Sequence, residues 1–198
     1  MEARQLTDHH YTKQEYLDFI ESCEYKYEFL DGSLRMMAGA KAAHNRIRRN
    51  SFLALARKTE DCEVYDSDTA ISVYLLNKIY FPDLSAVCGE AEDEEGGIER
   101  LRNPSLIIEV LSKKTATIDR GEKFQAYWKL PSLKEYILID SLSMLVQSYY
   151  RETEELWRIG NYTQPEQEME VLSLGVTVPL AVVYDGVVFP EVTGEFTD

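Results

Sequence analysis

Cysteine and histidine are scarce in this chain, and both shortages narrow its chemistry. The three cysteines, Cys23, Cys62 and Cys88, are an odd number without a CxxC pair. Neither a disulfide framework nor a structural zinc site is therefore expected, and all three read as small core residues. The only histidines are His9, His10 and His44, which argues against a His-rich metal centre and leaves oxygen ligands suited to Mg²⁺ or Mn²⁺. No apolar run approaches the roughly 18 residues of a membrane span, and Met1 to His10 lacks the basic-then-apolar pattern of a signal peptide. A soluble, cytoplasmic protein is expected.

Long Ser/Pro/Gly tracts and internal repeats are also missing, whereas 44% of residues are hydrophobic and 13 are tyrosine, a composition that folds. At 198 residues the chain reads as one domain, with a core over about 11–140 and a β extension over about 141–190. Positive charge is short too: 21 Lys and Arg face 35 Asp and Glu, for a net charge of −14. That balance points away from nonspecific nucleic-acid binding. From Arg100 to Lys134, however, eight Lys and Arg oppose three acids, so this segment is locally basic. Glu90 to Glu95 with Gly96-Gly97 reads as a solvated loop.

The most informative residue is Glu109, set inside Leu106-Ile107-Ile108-Glu109-Val110-Leu111, an apolar run that reads as a buried strand. Ile107, Glu109 and Leu111 share one face of such a strand, so the acid has apolar neighbours on its own side. Burying an unpaired carboxylate costs several kcal/mol, so something positive must meet it; a metal ion is one such partner. A second acid, Asp83, interrupts the apolar run Ile79 to Val87. The competing readings are an edge-strand Glu109 facing solvent and a Pro82-Asp83 pair that serves only as a turn device.

Thr12 with Glu15 forms a capping-box pattern opening a helix to about Ser22. Tyr25 to Leu30, Asp31-Gly32 and Ser33 to Met37 read as a hairpin with a two-residue turn. Ala42 to Lys58 reads as a helix, and strands follow at Cys62 to Tyr65, Thr69 to Leu76, Ile79 to Val87 and Ser105 to Leu111, with Asn77-Lys78 turning between the second and third. Asp119 and Glu122 signal the start of a helix that Pro131 ends, and Glu135 to Ile139 is a strand. The strand-helix-strand order favours a parallel crossover. Leu142 to Phe189 reads as a β meander without obvious chemistry.

This order resembles the PD-(D/E)xK nuclease superfamily and, within it, the Uma-type restriction endonuclease family. The resemblance spans roughly Tyr11 to Tyr184. It rests on Tyr27-Glu28-Phe29-Leu30-Asp31-Gly32, Met37-Ala38-Gly39-Ala40 with His44-Asn45, and Phe81-Pro82-Asp83. It continues through Asn103 to Ser112, Asp119-Arg120-Gly121-Glu122-Lys123-Phe124 and Leu130 to Tyr136. It implies an α/β, restriction-endonuclease-like fold with a mixed central sheet flanked by helices. It also implies that Asp83, Glu109 and the backbone carbonyl of Val110 hold a divalent metal, Mg²⁺ or Mn²⁺, with Glu28 as accessory acid. The superfamily lysine two residues after the acid is replaced here by Leu111; Lys123, 14 residues after Glu109 on the next helix, resembles its migrated equivalent. Lys113 and Lys114 compete for that role, while Lys123 as a surface lysine and Glu28 as a solvent-facing hairpin residue are the plain alternatives.

The activity implied is Mg-dependent endonucleolytic hydrolysis of DNA by a homodimer. His44 and the cations Arg46, Arg48, Arg49, Arg57 and Lys58 form either a phosphate-contacting helix face or a solvated one with Ile47 and Leu55 turned inward; His44 itself receives little weight. Two rivals stand beside the enzyme: a noncatalytic nuclease-fold binding or regulatory protein, which the acidic balance and displaced lysine favour, and a metal-free paired-carboxylate glycoside hydrolase.

Overall fold

The computed structural model describes residues 5–6 and 9–190. Its first sheet is built from N-terminal strands. β1 (Gln5–Leu6) precedes α1 (Lys13–Ser22), whose N-cap is Thr12 in a reciprocal capping box with Glu15, as the pattern predicts. β2 (Tyr27–Leu30) and β3 (Ser33–Met36) form the expected hairpin. Its turn places Asp31 and Gly32 at φ 47° and 94°, the left-handed pair that a two-residue turn demands. α2 (Ala42–Ala56) follows, and then β4 (Cys62–Asp66), β5 (Ala70–Val73) and β6 (Lys78–Tyr80).

The run Ile79 to Val87 is not one strand. Proline lacks the N–H that a ladder needs, and at Phe81-Pro82-Asp83 the chain leaves one sheet for another. β6 pairs with β2 and β5, whereas β7 (Leu84–Cys88) pairs with β4 and with β9. β8 (Arg100–Leu101) and β9 (Leu106–Leu111) come next. The helical segment then starts earlier than expected, as α3 (Ala116–Ile118), a π-helical turn over Asp119–Lys123, and α4 (Phe124–Tyr127). Asp119 is thus not a helix cap; it sits buried inside the segment.

β10 (Glu135–Asp140) returns parallel to β9, with Leu138 opposite Glu109. β11 (Val146–Arg151) and β12 (Trp157–Tyr162) continue antiparallel from it, so the first part of the expected meander widens the central sheet. β13 (Glu168–Val171) and β14 (Val176–Pro179) make a separate strand pair, and α5 (Leu180–Val183) ends the described elements. The two six-stranded sheets run β1-β3-β2-β6-β5-β8 and β12-β11-β10-β9-β7-β4.

Alternation along β9 divides the core. Leu106, Ile108 and Val110 pack with Ile47 and Leu55 of α2 and Leu180 and Val183 of α5. Ile107 and Leu111 pack on the other face with Tyr127, Leu130, Leu133, Tyr136 and Leu138. The mixed α/β architecture with flanking helices is therefore as expected. No helix among the described residues is long and apolar enough to cross a membrane.

The structure departs from the sequence reading in two further places. Cys62 and Cys88 are joined in a disulfide, because the β4–β7 register sets them directly opposite each other; only Cys23 is free among the described residues. The acidic loop is not simply solvated. Glu94 meets Lys13 at 2.7 Å and Arg100 at 3.3 Å and accepts a hydrogen bond from Ser72, while the Arg100 side chain is buried and also donates to the carbonyls of Ile98 and Glu95.

Candidate active site

Glu109 lies midway along β9 on the face that looks toward the helical crossover, and that crossover brings its counter-charge. The π-helical turn carries Lys123 inward. Its Nζ lies 2.9 Å from Glu109 Oε1, 3.0 Å from Glu28 Oε1 and 3.5 Å from Asp119 Oδ1. All four side chains are at most 8% exposed. Tyr127, one turn beyond Lys123, donates its hydroxyl to Glu109 Oε1 at 3.3 Å.

Glu28 arrives from the hairpin, where the tight turn sets it opposite Arg35. The Arg35 guanidinium lies 2.7 Å from Glu28 Oε2 and 3.0 Å from Glu122 Oε2, and Tyr80 donates to Glu122 at 3.0 Å. Glu28 Oε1 is buried and makes no well-angled hydrogen bond, although the ammonium is close. Asp83 stands beside this cluster. Leu84 pairs with Ile108, so one step along each strand brings Asp83 level with Glu109. Its Oδ2 accepts the Val110 N–H at 2.8 Å and lies 3.1 Å from His44 Nε2.

Burial pushes the Glu109 carboxyl well above the usual carboxylate range; Lys123 pulls the other way, and Asp119 and Asp83 add to the rise. Asp119 is also raised, again by burial against the pull of Lys123. For Lys123 burial alone would favour loss of the proton, but Glu109, Glu28 and Asp119 outweigh it and hold the ammonium charged. Burial raises Glu122 as well, yet Arg35 and the Tyr80 hydroxyl leave its carboxyl below the ordinary value. The cluster is acid-rich. Glu28, Asp83, Glu109, Asp119 and Glu122 face two permanent cations, Lys123 and Arg35, so it favours either a bound proton or a further cation.

Glu28, Glu109 and Lys123, separated by up to 95 residues in the chain, are thus in direct contact, with Asp83 linked to them through the Val110 backbone. Lys113 and Lys114 are exposed. Arg46 and Arg49 on α2, and Arg57 and Lys58 just past its end, are also exposed while Ile47 and Leu55 point inward, and Arg48 turns to the Ser67 hydroxyl. The sequence did not single out Asp119, Arg35, Glu122, Tyr80 and Tyr127 as members of this cluster, and His44, given little weight there, lies beside Asp83. Two signals were available: Glu28 and Arg35 are symmetric about the hairpin turn, and Asp119, Lys123 and Tyr127 recur every four residues, on one helical face.

The chain belongs to the family described as "Uma2: Putative restriction endonuclease", whose model matches residues 13–182. Among its relatives are two uncharacterized proteins of Synechocystis sp. One, slr1290, is 30% identical over 178 residues, covering 89% of this chain and 92% of the relative. The other, sll1609, is 32% identical over 161 residues, covering 80% and 91%. The fold is shared with the crystal structure of a "putative nuclease belonging to DUF820" from Anabaena variabilis, at TM-score 0.70 and 16% identity, over 88% of this chain and 97% of that one. The family description points to a nuclease.

Proposed function

We propose that the chain is a metal-dependent endonuclease that hydrolyses phosphodiester bonds, with DNA as substrate. The observation that supports this reading best is the buried, acid-rich cluster around Lys123, with Asp83, just ahead of the neighbouring strand β7, level with Glu109. Among the described residues no three His, Cys, Asp or Glu side chains form a metal cage by themselves. Mg²⁺ takes one or two carboxylates and completes its shell with water and substrate phosphate. The donors are hard oxygens, and the uncompensated acids supply the charge. Asp83 and Glu109, with the Val110 carbonyl, would hold Mg²⁺ or Mn²⁺.

When bound, such a cation acidifies a coordinated water and stabilises charge developing on the phosphoryl oxygens. The chain's own residues do the rest. Lys123, kept protonated by its neighbours, orients the attacking water and offsets negative charge in the transition state. Glu28 braces the ammonium from the opposite side and is itself fixed by Arg35. Tyr127, whose hydroxyl burial and Glu109 keep protonated, remains a donor to Glu109. Two single-site subunits paired in a homodimer would cut both strands of a duplex, and on the family resemblance we assign that arrangement to this chain.

The test is calorimetric titration of Mn²⁺ and Mg²⁺ into the wild type and an Asp83→Ala/Glu109→Ala double variant, with plasmid nicking followed in the same samples. Binding and cleavage that both vanish in the double variant support the metallonuclease. Metal binding without cleavage favours a noncatalytic nuclease-fold protein, and no metal binding sinks the proposed site.

A further inference from the structure

We infer that His44 is a positioning residue that determines which oxygen of Asp83 is presented to the cation; this rests on the assignment of Asp83 as a ligand. Asp83 follows Pro82 at the crossing between the two sheets, outside any strand, and two groups hold its carboxylate. The Val110 N–H reaches Oδ2 at 2.8 Å, and His44 Nε2 lies 3.1 Å from the same atom. With both donors on Oδ2, Oδ1 is the oxygen with lone pairs left for a hard cation.

Both donors come from rigid elements. Val110 belongs to the central strand β9, and α2 is anchored by Ile47 and Leu55 against Leu84, Ile108 and Val110. The His44 and Asp83 side chains are 13% and 15% exposed, so water competes little for the contact. The partnering of the ring is one-sided. Nδ1 is buried without a hydrogen-bond partner among the described residues. Among the described residues the ring's polar contact is the one to Asp83, the arrangement by which outer groups orient metal-binding carboxylates.

The test measures Mn²⁺ affinity by calorimetry for wild type, His44→Ala, His44→Gln and Asp83→Asn, together with the metal-free melting temperature of each. Loss of an orienting partner weakens metal binding by roughly 10- to 100-fold, and that loss is expected for His44→Ala. His44→Gln keeps an N–H at similar reach and restores most of the affinity, which a merely structural histidine would not require. Should His44→Ala melt lower, His44→Gln against His44→Asn decides the matter, since the shorter amide falls short of Asp83; equal affinities overturn the inference. Wild-type affinity in His44→Ala alongside lost binding in Asp83→Asn overturns the positioning role and leaves the ligand assignment standing. Unchanged binding in Asp83→Asn, or no binding by the wild type, removes the ligand assignment and this inference with it.

Discussion

Replacing Lys123 with methionine keeps the aliphatic volume and deletes the cation. Three carboxylates then lose their common counter-charge, with Glu109, Glu28 and Asp119 lying 2.9, 3.0 and 3.5 Å from the missing nitrogen. Removing one partner of a buried ion pair costs about 3–5 kcal/mol. In a protein of this size each kcal/mol moves the melting temperature by about 2–4 °C, so a fall of roughly 6–20 °C is expected near pH 8. The loss is pH-dependent in a definite direction. Glu109 is already raised above its ordinary value by burial, and without Lys123 it rises further. The folded chain then binds more protons than the unfolded one, so stability recovers as the pH falls toward the unfolded carboxylate value of about 4.3. Thermal melts of wild type and Lys123→Met followed by circular dichroism from about pH 8 down to about pH 5.5 provide the assay. A variant as stable as wild type at pH 8, or one whose deficit widens as the pH falls, would refute the buried-cluster argument.

Three further outcomes are expected. The Cys62–Cys88 bridge closes a 26-residue separation, so its reduction, or Cys62→Ser/Cys88→Ser, destabilises by about 3 kcal/mol; thiol titration of the denatured chain reads one group before reduction and three after. Lys13, Ser72 and Arg100 outweigh burial to hold the Glu94 carboxyl below its ordinary value, so its contribution is present above the unfolded carboxylate range and is lost as the pH falls through its depressed folded value. Acid titration of stability checks this, with Glu94→Gln flattening that limb and costing about 1.5–3 kcal/mol near pH 7. Thr12→Ala removes the α1 capping box and lowers stability by about 1 kcal/mol, read by chemical denaturation; no change would mean that tertiary packing alone fixes the start of α1.

Local rules made much of the molecule legible from the chain. Thr12 and Glu15 mark a helix start because capping is a contact over three residues. Asp31-Gly32 marks the hairpin because both residues tolerate positive φ, and period-two alternation reveals that Glu109 shares an apolar face. Where the chain was misread, nonlocal pairing or a local exception decided the outcome. Pro82 was visible, but that it sends β6 and β7 into different sheets depends on their partners. The Cys62–Cys88 bridge follows from the β4–β7 register, which no spacing discloses, and the π-helical turn that buries Asp119 replaced the expected cap.

The candidate site divides along the same line. The amino-acid sequence by itself determined which residues are anomalous, a carboxylate in an apolar strand and a second acid after a proline, because burial cost and alternation act residue by residue. Only the tertiary structure decided that the ammonium of Lys123 meets Glu109, that Arg35 locks Glu28, and that His44 reaches Asp83. These pairings depend on how a hairpin, two helical elements and two strands pack. The strength of each ion pair depends on the water that this packing removes.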